Sequence, residues 1–114
     1  MTTAGVEGVY VETHNWGKAA KFFQALGFEV EFSTDHGSGL LRNGGGAYLF
    51  LAEVPEAQTP QMQVMLKVAD ADAFRPGATV EVVTAFEDTH YGTQEMTVCD
   101  PDGRIWSLQA PAKP

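Results

Sequence analysis

The chain has 114 residues, enough for one domain with its own core, and 44% hydrophobic with 19% charged residues is an ordinary globular composition. Seven basic against 15 acidic residues leave a net charge of −8, which argues against a nucleic-acid surface and favours cationic over polyanionic ligands. No apolar run approaches the ~20 residues of a membrane span, the opening MTTAGVEGVYVE lacks the basic start and apolar core of a signal peptide, and the single Cys99 excludes an internal disulfide, so a cytoplasmic protein with a packed strand cysteine is expected.

Val6 to Thr13 reads as a strand, with Val9 and Val11 on one face and Gly8, Tyr10 and Glu12 on the other. Asn15 is placed to cap a helix over Trp16 to Leu26. Ala19, Ala20, Phe22, Phe23 and Leu26 recur there at helical spacing, and Gly27 ends it. Phe28 to Thr34 is a second strand and Leu40 to Arg42 a short third. Asn43-Gly44-Gly45-Gly46 is a turn rather than a phosphate loop, since no helix bearing Lys-Ser or Lys-Thr follows. Ala47 to Glu53 completes the first half, with Tyr48 and Phe50 on one face and Leu49 and Leu51 on the other.

Pro55 to Pro60 has no periodic pattern and reads as a linker. Beyond it Met62 to Val68 is a strand, with Gln63, Met65 and Lys67 opposite Val64, Leu66 and Val68. Asp70 to Phe74 has room for about one helical turn before Pro76-Gly77. Thr79 to Ala85 is a strand, and Phe86 to Gly92 a loop. The chain closes on a hairpin, TQEMTVCDPDGRIWSLQ, from Thr93 to Gln109. Asp100 can cap its turn, Pro101 presets φ, and Gly103 supplies the left-handed residue. Met96, Val98, Trp106 and Leu108 form one face; Glu95, Thr97, Cys99, Ile105, Ser107 and Gln109 form the other. That second face is not uniformly charged, as the lining of a cavity would be. Each half therefore reads as strand, helix, then three strands, without a residue-level repeat.

A strand, Asp100-Pro101-Asp102-Gly103 and a closing strand resemble the C-terminal signature of the vicinal oxygen chelate superfamily. That group includes glyoxalase I, extradiol dioxygenases, fosfomycin-modifying enzymes and bleomycin-resistance proteins. His90-Tyr91-Gly92 is similar to its aromatic-glycine segment, and Val9 to Glu12 followed by Lys18 to Phe28 resembles its first strand and the helix ending in Leu-Gly-Phe. The resemblance implies an α+β fold of two βαβββ modules forming a curved mixed sheet around a cleft, the second helix being short. It implies one domain over 1–114, with module 1 at about 4–54, a linker at 55–60 and module 2 at about 61–110.

Enzymes of the superfamily hold a divalent metal with His and Glu on the first and fourth strands of each module. Carried over singly, those positions fall on Gly8, near Phe50, on Gln63 and on Ser107. None is a His or carboxylate, and Gln63 alone is one weak oxygen donor. The histidines His14, His36 and His90 lie in loops or at the helix start without close metal spacing. No Ser-His-Asp or Cys-His context appears. Hence neither metal, cofactor nor catalytic residue is expected, and the chain leans away from being an enzyme. The resemblance is closest to the metal-free bleomycin-resistance type, which sequesters a drug. Tyr10, Glu12, Tyr48, Phe50, Gln63, Met65, His90, Tyr91, Thr97 and Ser107 are the expected ligand-binding set. Glu95 shares their face, and a small aromatic, possibly cationic ligand and a homodimer are the expected partners. The alternative is a metal-dependent lyase, isomerase or thiol transferase with rearranged ligands; a third reading is a regulatory domain with a collapsed cleft.

Overall fold

The computed structural model describes residues 3–89 and 92–113. The chain divides into two compact units, Gly8–Gln63 and Val64–Pro114 with Met1–Glu7. The elements of the first are β1 (Val6–Thr13), α1 (Trp16–Ala25), β2 (Glu29–Ser33), β3 (Ser38–Arg42) and β4 (Tyr48–Glu53). Those of the second are β5 (Met62–Lys67), β6 (Glu81–Asp88), β7 (Thr93–Cys99) and β8 (Ile105–Pro111). The fold is α+β.

In the first unit the strand order is β2-β3-β4-β1, antiparallel except for the parallel pair β4–β1. A parallel pair needs a long crossover, and α1 with the β2–β3 hairpin supplies it. Asn15 caps α1, its side-chain oxygen accepting from the Lys18 amide at 2.9 Å, and Gly27 leaves the helix at φ 103°. Ala20 packs with the fully buried Leu41 and Leu51, flanked by Val11, Trp16, Ala19, Phe23, Phe28 and Leu49. Phe22 and Leu26 depart from the expected stripe, each being 59% exposed. At 100° per residue Phe22 lies about 110° from the centre of the Trp16-Ala19-Ala20-Phe23 stripe, so the sheet cannot reach it.

In the second unit the order is β5-β8-β7-β6, again with one parallel pair, β5–β8. Each unit thus sets its first strand beside its last. Val68, Phe74, Met96, Leu108 and Ala110 form this unit's core, with Leu66, Ala71, Phe86 and Val98 against it. Where the first unit has α1, residues 71–73 make a single turn, and Asp70 Oδ1 accepts from the Asp72 amide at 3.0 Å. β6 runs three residues past the expected end at Ala85, so the segment from Phe86 is strand before it is loop. β3 likewise begins at Ser38 rather than Leu40. In both cases backbone pairing carries the strand through polar residues that lack apolar alternation: Glu87 faces Glu95, and Ser38 faces Ala52. Among the described residues no helix is long and apolar enough to cross a membrane.

Candidate functional site

The pairing register of the first unit sets Phe32, Leu40, Phe50 and Tyr10 in one row across β2, β3, β4 and β1. Their neighbours in sequence, Leu41, Leu51 and Val11, belong to the helix-side core, so the row lies on the opposite face. There Tyr10 and Phe50 stack with centroids 6.4 Å apart and planes at 17°, while Phe32 tilts against Phe50 at 6.4 Å and remains 46% exposed. One row along, Gly8 faces Tyr48, and Arg42 lies over the Tyr48 ring at 5.2 Å. A Cβ on Gly8 would stand 2.6 Å from the Tyr48 carbonyl and 2.7 Å from its ring, so only glycine admits this tyrosine beside β1.

Glu12 lies on that face too, but its oxygens are occupied. Oε1 accepts from the Gln61 amide at 3.0 Å and from Gln58 Nε2 at 3.3 Å, and Oε2 accepts from the Tyr10 hydroxyl at 3.4 Å. Glu12 therefore fastens the 58–61 loop to β1. Burial, and next the nearby Glu12 charge, push the Tyr10 phenol above its ordinary range, so it stays a hydrogen-bond donor at neutral pH. Gln63, on β5, is half-buried.

In the second unit Met65, Ser107, Thr97 and Thr84 stand opposite one another in sequence of strands, as do Lys67, Gln109 and Glu95. The Met96, Leu108 and Val68 side chains take the other face as core. Met65 at 6%, Ser107 at 1% and Gln109 at 4% exposure are buried on the face away from that cluster. A polar chain runs through them. Thr93 Oγ1 donates to Gln109 Oε1 at 2.7 Å, and Gln109 Nε2 donates to Ser107 Oγ at 2.7 Å and to Glu95 Oε2 at 2.6 Å. Ser107 Oγ donates its only hydrogen to the same Glu95 oxygen at 2.7 Å. Buried polar groups demand such partners. Thr93 and Gln109 also line a recess of about 250 Å³ with Val68, Ala110, Lys67 and Glu7.

The structure thus gathers Tyr10, Glu12, Tyr48 and Phe50 on one face of the first unit, and Met65, Thr97 and Ser107 on one face of the second. His90 and Tyr91 lie outside the described residues. Sequence reasoning passed over Phe32, Gln109 and Thr93 as site candidates. Strand alternation from Phe50 and Ser107 was the available signal, but the pairing register was needed to align the rows. Cys99 is half-buried, and partial burial, followed by the Glu81 and Asp100 charges, pushes its thiol up, away from nucleophilic character.

The structure is similar to that of a glyoxalase/bleomycin resistance protein/dioxygenase superfamily member from Vibrio splendidus 12B01, with a TM-score of 0.68 and 19% identity over 90% of this chain and 96% of that one. The chain has the vicinal oxygen chelate fold. It is similar as well to 2,2',3-trihydroxybiphenyl 1,2-dioxygenase from Sphingomonas wittichii strain RW1, with a TM-score of 0.69 and 17% identity over 97% of this chain but 42% of that protein. A third likeness is to an NAD-dependent benzaldehyde dehydrogenase from Legionella pneumophila, with a TM-score of 0.63 and 14% identity over 90% and 96% of the two chains. No protein-family model and no curated protein matches the sequence.

The metal positions that the vicinal oxygen chelate fold implies do not fit a metal in this chain. Gly8 has no side chain, and the space for one is filled by Tyr48. Phe50 is apolar, and Ser107 spends its hydroxyl on Glu95 and Gln109. His14 Nε2 donates to the Gln58 carbonyl at 2.7 Å and its Nδ1 lies 3.9 Å from Glu56, both at the surface. Among the described residues no three His, Cys, Asp or Glu side chains gather as a metal set.

Proposed function

We propose that this chain is a small-molecule binding protein that takes up a flat aromatic compound and holds it without breaking a bond, as a protein of drug resistance or self-protection would. The observation that carries this reading is the aromatic row Phe32–Phe50–Tyr10, presented on the sheet face away from the helix, with Phe32 still half open. A ring laid on such a row gains apolar burial plus about 0.5–1.5 kcal/mol per well-placed aromatic pair. The Tyr10 hydroxyl, held by Glu12, adds orientation. Tyr48, its ring covered by Arg42, extends the aromatic surface by one row. Gln63 is proposed as a further contact in this unit; Met65, Thr97 and Ser107 of the second unit, with His90 and Tyr91, are proposed as contacts on that unit's own face. The homodimer belongs to the same proposal. It is supported by the apolar side chains left exposed in the first unit, Phe22, Leu26, Val30, Phe32 and Met62.

The test is a fluorescence titration with metal-free bleomycin and with flat natural products, using the full chain and the double variant Tyr48→Ala with Phe50→Ala. Saturable binding by the wild type, at least about tenfold weaker in the double variant, is expected from the loss of two stacking surfaces. Unchanged affinity in a variant with an intact circular-dichroism spectrum would sink the assignment of this face.

A further inference from the structure

The donors of the polar chain in the second unit run in one direction and end on one atom. Thr93 donates to Gln109, Gln109 to Ser107 and Glu95, and Ser107 to Glu95, so the arrows end on Glu95 Oε2. With Ser107 and Gln109 buried, that oxygen is held in one place. Glu95 Oε1 receives no hydrogen bond among the described residues, and none of their basic side chains pairs with the carboxylate. Lys67, in the same row, has its Nζ 4.0 Å from Glu7. A half-buried carboxylate with two fixed neutral donors and, among the described residues, no counter-charge has unmet demand for a cation. Glu12 differs, since both of its oxygens are already bonded within the protein.

We infer that Glu95 is an anchor for a protonated nitrogen, an ammonium, amidinium or guanidinium group, on a small molecule bound at this face of the second unit. The inference rests on the reading of this chain as a small-molecule binder and narrows it to cationic ligands. Ser107 and Gln109 are positioning residues: they fix Oε2 so that Oε1 presents the charge. A charge-assisted hydrogen bond to a pre-positioned carboxylate is roughly twice as strong as a neutral one, which separates charged from uncharged ligands of one shape.

Benzamidinium and benzamide are such a pair, and both are titrated into the full chain while the side-chain amide resonance of Gln109 is followed by NMR. The wild type is expected to prefer benzamidinium by about tenfold or more, with the Gln109 resonance moving. Glu95→Gln, which keeps shape and removes charge, is expected to lose that preference. Glu56→Gln, which removes the same charge from the exposed 55–60 segment, is expected to keep it. Should Glu95→Gln fail to fold, Glu95→Asp withdraws the charge by one methylene and is expected to reduce the preference at least about threefold. Equal affinity for the two probes in the wild type, or a preference undiminished in the Glu95 variant, overturns the anchor and leaves the binding reading standing. Binding of bleomycin without either probe does the same. A wild type that binds none of the three overturns both.

Discussion

Asp100 shows how much one side chain can organise. Its Oδ1 accepts from the Asp102 and Arg104 amides at 2.9 Å each, and its Oδ2 accepts from Trp106 Nε1 at 2.9 Å and from Arg104 at 3.1 Å. The indole N–H first, then the Arg104 amide, hold its carboxyl down at about 2. A depressed carboxylate stabilises the fold above its unfolded pKa of about 3.9 and loses that contribution as pH falls toward 2. Thermal midpoints from pH 6 to pH 2 should therefore fall less steeply below pH 4 in Trp106→Phe than in the wild type; parallel curves would remove the indole as the cause. The turn itself was legible, because Asp100, Pro101 and Gly103 act within four residues of one another, and Gly103 does take φ 85°. The indole contact was not, since alternation puts Trp106 on the face of Met96, Val98 and Leu108 and carries no sign of a bond back to the turn. Gly8 makes the same point in the site. The family resemblance implies a metal ligand at its position, while the close Tyr48 ring that requires glycine follows from the pairing of β1 with β4.

At the scale of elements, α1 began and ended where local chemistry put it. The cap at Asn15 satisfies an amide that the first turn leaves open. Asn15→Ala is expected to cost ~1 kcal/mol, seen as a fall of roughly 4 °C in the thermal midpoint; Asn15→Asp should recover most of it. The strands were less legible at their ends. β6 continues through Glu87 and Asp88, whose charges are compatible with an edge strand because one side of that strand faces solvent. β2 carries Val30 and Phe32 in view, with a register shift between them. Simple alternation puts these two residues on one face; the shift divides them, Val30 standing opposite the core residue Leu41 and Phe32 opposite Leu40 in the aromatic row.

At the scale of the whole molecule, the proposals meet in one measurement, a native mass spectrum of the purified protein. The expected species is a homodimer without metal, retaining an organic adduct where the ligand was present during growth. One divalent ion per chain would return attention to His14, His36 and His90 and to enzyme assays. A monomer without adduct would leave the exposed Phe22, Leu26 and Phe32 needing another account. The net charge of −8 acts at this scale too, drawing cations to the surface generally. The Glu56→Gln control separates that general attraction from a specific anchor.

By itself the sequence determined the α+β class, the order of elements, the helix cap and the closing hairpin. All of these rest on contacts within a few residues or on a period that side chains repeat along one element. It also determined which residues share a face in the unbulged strands, grouping Tyr48 with Phe50 on β4 and placing Tyr10 with Gly8 and Glu12 on β1. Only the tertiary structure decided which faces align across strands, because register is set by pairing between segments far apart in the chain. That is why Phe32 joined the aromatic row, why Glu12 proved to be tied to the 58–61 loop, and why Glu95 was found at the end of a chain of donors from Thr93, Gln109 and Ser107.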